Sequence, residues 1–200
     1  MRQIVAATGN AHKIQEIRAI LDPLGIAVLG AAEAGGMPDV IEDGDSFAAN
    51  AAKKAVEAAR ILNRCVLADD SGLEVFALGG EPGIYSARYA GEGGNDGRNV
   101  AKLLHRLEGE TDRAARFVCV IALASPAGLV GTAEGEVRGR IIHQPKGGGG
   151  FGYDPVFVPE GFGQTFAELP GEVKNRLSHR GNALRNAVDG GLFARLPAAD

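Results

Sequence analysis

Asp69 and Asp70 stand side by side at the end of the apolar run Cys65-Val66-Leu67-Ala68, and Ser71-Gly72 follow at once. Four consecutive apolar residues bounded by polar ones describe a buried strand. Two carboxylates where such a strand reaches the surface are costly to keep charged without a partner, so a metal ion, a bound water or a cationic side chain has to serve them. Neighbouring side chains of a strand point to opposite faces. If one aspartate faces a pocket, the other faces away and does something structural. The local alternative is a turn, because Asp and Ser bond nearby backbone groups and Gly takes positive φ.

The rest of the chain alternates strand-like and helical patterns. Ile4–Ala7 reads as a strand and Thr8–Lys13 as a loop; Ile14, Ile17, Leu21 and Leu24 then share one helical face that Gly25 ends. A second helix spans about Phe47–Leu62 with Asp45 or Ser46 as its N-cap, and its apolar face is mostly alanine. A third carries Val100, Leu103, Leu104 and Leu107 behind a cap at Asn95 or Asp96. Phe117–Ala124 reads as a long strand, Ser125-Pro126-Ala127-Gly128 as a hairpin turn, and Leu129–Val137 as the return strand. Short strands are expected at Arg140–Ile142 and Val156–Val158, and a last helix buries Ala183, Leu184, Ala187 and Val188. A βα start followed by an antiparallel excursion predicts an α/β fold with a mixed sheet.

At 200 residues the chain is expected to be one domain, 1–200. Its net charge of -4 argues against a nucleic-acid polymer as partner, which calls for a basic surface, but not against a small anion in a local basic pocket. No apolar stretch approaches the roughly 20 residues of a membrane span. Met1-Arg2-Gln3-Ile4 leads straight into a strand-like run, so no signal peptide is expected. Cys65 and Cys119 lie in apolar runs and read as buried thiols of a reducing cytoplasm.

Four stretches could carry chemistry. Thr8-Gly9-Asn10-Ala11-His12-Lys13 joins a strand to a helix N-terminus, where backbone N–H groups and the helix dipole favour an anion. Asn10 as a plain helix cap and Lys13 as a solvated charge is the structural alternative. Glu42, just before the second helix, is either a surface turn acid or a second carboxylate for a metal held by Asp70. Gly149-Gly150-Phe151-Gly152-Tyr153-Asp154-Pro155 lets the backbone come close to a partner while Phe151 offers a stacking face suited to a purine. The aromatics could equally be core residues around a tight turn. Lys174-Asn175-Arg176-Leu177-Ser178-His179-Arg180-Gly181 concentrates charge at a helix start: a solvated face, or donors into a cleft.

Six stretches in this order resemble the inosine triphosphate pyrophosphatase family: Ala7–Asn10 with Lys13, Phe47–Ala51, Ala68–Leu73, Pro82–Tyr89, Gly149–Pro155 and Ser178–Gly181. The resemblance covers nearly the whole chain. It implies an elongated mixed sheet flanked by helices, two lobes with the nucleotide between them, and a homodimer. It also implies Mg²⁺-dependent cleavage of dITP, ITP and XTP between the α- and β-phosphates, giving a nucleoside monophosphate and pyrophosphate. On that pattern Thr8, Gly9, Asn10, Ala11, His12 and Lys13 hold the triphosphate, Asp70 is the catalytic acid-base residue, and Glu42 and Asp70 carry the metal. Ser71 contacts substrate, Phe151, Gly152, Tyr153 and Asp154 hold the base, and Lys174, His179 and Arg180 complete the site. Asp69 is left to fix the turn from behind. Other readings are a nucleotide pyrophosphatase with another base preference and a nucleotide sensor that does not turn over.

Overall fold

The computed structural model describes residues 2–196. Its main elements are β1 (Arg2–Ala6), α1 (Ala11–Leu21), β2 (Ile26–Leu29), α2 (Phe47–Leu62), β3 (Val66–Val75), α3 (Asp96–Arg106), β4 (Ala114–Ser125), β5 (Gly128–Ile141), β6 (Phe157–Pro159), α4 (Gly171–Leu177) and α5 (His179–Asp189). The strands form one six-stranded sheet in the order β2-β1-β3-β4-β5-β6. β1 runs parallel to β2 and to β3, while β5 and β6 are antiparallel, so the sheet is mixed as the sequence predicts.

The chain forms two compact units. The first takes the described residues of Met1–Asp70, Cys119–Gly135 and Arg180–Asp200; the second takes Ser71–Val118 and Glu136–His179. The core of the first is built from Ile4 and Ala6 of β1, Ile17 and Leu21 of α1, Leu67 of β3, Ile121 and Leu123 of β4, and Ala183, Leu184 and Ala187 of α5. That of the second collects Leu73, Val75, Val100, Leu103, Leu107, Phe117, Tyr153, Phe157 and Phe166. Phe117 meets Phe157 edge-on at 4.7 Å between ring centres, a favoured aromatic geometry.

The helix ends follow from their caps. Asn10 accepts hydrogen bonds from the N–H groups of His12 and Lys13, Ser46 from Ala49, and Asn95 from Arg98. Each occupies backbone donors that a helix leaves unpaired in its first turn. α1 stops at Leu21, and Gly25 turns the chain at φ +74°.

Three expectations change. The apolar run before the acidic pair is the start of a ten-residue strand, and Asp69-Asp70-Ser71-Gly72 lies inside it rather than in a turn. The aspartates bond side chains from other elements, so nothing bends the backbone there. The short strand expected at Arg140–Ile142 is the end of a continuous fourteen-residue β5. β2, four residues paired to β1, carries no sequence signal strong enough to have announced it. Of the cysteines, Cys119 is buried but Cys65 only half-buried, and both are free thiols.

α2 buries Ala51, Ala55, Ala58 and Ala59 without measurable exposure, which brings its backbone close to what it packs on. Ala55→Leu adds three carbons where no space is left, and overpacking of this kind costs about 1–3 kcal/mol. Urea unfolding should show that loss with an unchanged m-value.

Candidate active site

Strand alternation separates the two aspartates. Asp69 shares the face of Leu67, which packs with α1 and α5. Its carboxylate Oδ2 receives Lys13 Nζ at 3.0 Å, Arg180 Nη2 at 2.9 Å and Arg180 Nε at 3.1 Å. Arg180 Nη1 donates to Glu16. Lys13 and Glu16 lie one turn apart on α1, and Arg180 opens the face of α5 that continues with Ala183, Leu184 and Ala187. The result is a chain of alternating charge, Lys13–Asp69–Arg180–Glu16, with Asp69 2% exposed and Arg180 1%. Burial alone would raise the Asp69 pKa; Lys13 and Arg180 override it and hold the carboxylate well below its ordinary range. Burial alone would lower the Arg180 pKa; Asp69 and Glu16 override it and raise it above its ordinary value.

Asp70 points the other way, toward α2. Asn50 Nδ2 donates to Asp70 Oδ2 at 3.0 Å, and Asn50 Oδ1 accepts from the Gly44 N–H at 2.8 Å. Gly44 has to be glycine-sized, since a Cβ there would stand 2.7 Å from Asn50 Oδ1. Glu42, in the same loop, pairs with Lys54 of α2. Lys54 Nζ also lies 3.4 Å from the Asp69 carbonyl oxygen. Burial pushes the Asp70 pKa up; Asn50 opposes this, the Glu42 charge adds to it, and Lys54 and Lys13 counter it. Asp70 is therefore a buried carboxylate with strengthened proton affinity beside a second carboxylate and two cations. No group of three or more His, Cys, Asp or Glu among the described residues is arranged around a metal. Two carboxylates nevertheless satisfy Mg²⁺, which takes the remainder of its shell from phosphate and water.

The second unit gathers the aromatic loop. Asp154 Oδ2 accepts from the Phe151 N–H at 2.8 Å and from Lys174 Nζ at 2.7 Å. The Lys174 ammonium sits 4.7 Å from the centre of the Phe151 ring, a cation–π distance. Gly150, at φ +73°, cannot carry a side chain, because its Cβ would fall 2.1 Å from Asp154 Oδ2. His179 stacks on Phe117 with ring centres 4.8 Å apart.

Several assignments shift. Arg180 was expected to contact the nucleotide, but its guanidinium is enclosed, with all three nitrogens on carboxylates of its own unit. Asp69 does not brace a turn; it is the counter-ion of Lys13 and Arg180. Lys13 keeps 19% of its side chain exposed and can still reach an anion from that anchored position. Lys174 groups with Phe151 and Asp154. Tyr153 is a core residue, its hydroxyl donating to the Ser86 carbonyl at 2.9 Å. Asn10 spends its carboxamide oxygen on the helix cap, and Thr8 Oγ1 accepts from the Asn10 N–H at 3.1 Å. Gly9, Ala11 and His12 lie exposed at the mouth of this loop, and Ser71 is half-buried on β3.

Residues absent from the expected site are Glu16, Asn50 and Lys54. Their signal was present in helical spacing: Asn50 and Lys54 lie four apart on the buried face of an alanine-rich helix, and Glu16 three beyond Lys13 beside the buried Ile17.

Asp69→Asn removes the charge that Lys13 and Arg180 share. Leaving a buried ion without its partner costs about 3–5 kcal/mol. Because the folded-state pKa of Asp69 is lowered, its contribution is complete above the ordinary Asp value of about 3.9 and lost as pH falls through the lowered folded value. Urea titrations of the two proteins should differ fully at pH 7 and converge progressively below pH ~4.

Comparison with known proteins finds relatives over nearly the whole chain. The Ham1 family model matches residues 4–190. A dITP/XTP pyrophosphatase of Desulforamulus reducens is 52% identical over 189 residues, 94% of each chain. That of Geobacter sulfurreducens is 52% identical over 186 residues, 92% of this chain and 94% of its own. Among solved structures, the Ham1 protein of Staphylococcus aureus aligns with a TM-score of 0.84 at 44% identity, covering 98% of this chain and all of the other. On a match that runs from β1 through α5, the chain belongs to the Ham1 family.

Proposed function

We propose that this protein is a hydrolase that cleaves non-standard purine nucleoside triphosphates, dITP, ITP and XTP, to the monophosphate and pyrophosphate, clearing them from the nucleotide pool. The observation that carries this reading is Asp70: a buried carboxylate of raised proton affinity, oriented by Asn50 and flanked by Glu42 and Lys54. Its relatives named dITP/XTP pyrophosphatase supply the substrate class.

The chemistry follows from that environment. A carboxylate with strengthened proton affinity takes a proton from a water attacking at phosphorus more readily than an exposed one. Asn50 fixes the orientation of the carboxylate, so no rearrangement is needed as the proton moves. Glu42 and Asp70 would hold Mg²⁺; a carboxylate whose neighbour's charge raises its pKa is an electrostatic match, together with that neighbour, for a divalent cation. When bound, that ion neutralises phosphate charge and polarises the phosphoryl group. Lys13, held by Asp69, and the Thr8–Lys13 loop are assigned to the triphosphate, with Ser71 as a further contact.

Phe151 is assigned to the base, with Gly152 and Asp154 shaping its loop and Lys174 and His179 supplying donors. A 6-oxo purine presents an acceptor to such donors where adenine presents an amino group. A site built on that pairing discriminates by orders of magnitude, because the wrong base leaves polar groups unmatched. Arg180 supports the site from within through Asp69. The protein is further assigned as one functional domain, as a homodimer, and as cytoplasmic. No helix among the described residues is long and apolar enough to cross a membrane, and the net charge of -4 disfavours a nucleic-acid polymer as partner.

With Mg²⁺, turnover of dITP, ITP and XTP should exceed that of GTP, ATP and dUTP, with pyrophosphate as the released product. Orthophosphate in its place would refute cleavage between the α- and β-phosphates. Asp70→Asn should lower kcat by roughly a hundred- to ten-thousand-fold in a protein with unchanged circular dichroism. EDTA should abolish turnover and added Mg²⁺ restore it; undiminished rates in EDTA would remove the metal from the proposal.

A further inference from the structure

Phe151 stands between Gly150 and Gly152, both with positive φ, at +73° and +61°. Glycine leaves a chain its greatest freedom, so a ring mounted between two of them has no fixed direction of its own. Something else must hold it. Asp154 holds the near side through the Phe151 N–H. The next N–H, that of Gly152, donates to Asp96 Oδ2 at 2.7 Å, across 56 residues of sequence. Asp96 is the first residue of α3, and that helix is firmly placed. Val100, Leu103 and Leu107 join the core of the second unit. Asn99 accepts from the Ala90 N–H at 2.7 Å and donates to the Ala87 carbonyl at 3.1 Å.

From this juxtaposition we propose that Asp96 is a positioning residue for nucleobase binding: its carboxylate clamps the Gly152 N–H and so fixes the ring of Phe151 before the base arrives. The proposal rests on the function given above and adds to it a residue outside the loop. The two successive N–H groups of the ring's backbone are each taken by a carboxylate, Asp154 from within the loop and Asp96 from α3. A ring held this way binds without the entropy loss of first being ordered. Asp96 itself touches neither phosphate nor base in this scheme, so its loss acts on binding and spares the chemical step.

The chain contains no tryptophan, so Phe151→Trp places a single fluorescent reporter at the ring position. In that background, with no nucleotide present, Asp96→Ala should raise acrylamide quenching of the indole by about twofold, as a clamped ring becomes mobile. In the otherwise unaltered protein, Asp96→Ala should raise KM for dITP by about tenfold and leave kcat within about twofold, the effect of losing one hydrogen bond to a charged acceptor. Competitive inhibition by inorganic tripolyphosphate, which has no base, should not change. Asp96→Asn keeps an oxygen acceptor and should restore KM to within about threefold of the parent. Quenching unchanged by Asp96→Ala in the Phe151→Trp background, or a KM unaffected by Asp96→Ala, overturns the proposal. So does a rise in the tripolyphosphate inhibition constant that parallels KM, which marks general damage instead. A parent protein that does not hydrolyse dITP refutes the underlying function, whereas the quenching comparison reads the clamp with no substrate present.

Discussion

The carboxylate of Asp69 is the interaction on which the rest of the first unit depends. It lies inside a strand, almost without exposure, and binds Lys13 from α1 and Arg180 from α5. A single buried charge of that kind is untenable alone; with two cations around it, and Glu16 behind one of them, the group is neutral overall and every polar atom has a direction. Removing any one member strands the others. The arrangement therefore specifies where β3, α1 and α5 meet, in a way that the apolar contacts beneath it do not.

That constraint also sets the chemistry of the neighbouring residue. With Asp69 committed to one face of β3, Asp70 is turned to the other, toward Asn50 of α2. The two carboxylates are adjacent in sequence and move in opposite directions: Lys13 and Arg180 lower one against its burial, and burial with the Glu42 charge raises the other. One is a permanent anion with a structural task, the other a group able to exchange a proton. Separation of two carboxylates by environment lets one side-chain type serve as a fixed charge at one position and hold its proton more tightly at the next.

The second unit solves a different problem with similar parts. Its aromatic loop is glycine-rich because backbone must pass close to Asp154 and Ala167; a Cβ at Gly147 would lie 2.6 Å from the Ala167 carbonyl carbon. Close passage removes the side chains that would otherwise lock the loop. Carboxylates from Asp154 and Asp96, with Lys174 over the Phe151 ring, supply the missing order.

Much was legible in the sequence because it depends on local periodicity. The faces of α2, α3 and α5, the hairpin at Ser125–Gly128 and the mixed α/β sheet follow from apolar spacing and turn residues; on α1 the expected face holds through Ile17 and Leu21, but the helix ends there and Leu24 is exposed. Strand alternation alone required Asp69 and Asp70 to part. What spacing cannot carry is the identity of partners distant in the chain. Arg180 looked like a donor into the nucleotide cleft because nothing near it in sequence discloses Asp69 or Glu16, which lie 111 and 164 residues away. Tyr153 looked like a base contact because Ser86, 67 residues earlier, receives its hydroxyl. The sequence by itself determined which residues bear charge and on which face of its own element each lies. Only the tertiary structure decided which charges meet, because burial and counter-ions, set by packing between elements, lower the proton affinity of one carboxylate and raise that of its neighbour.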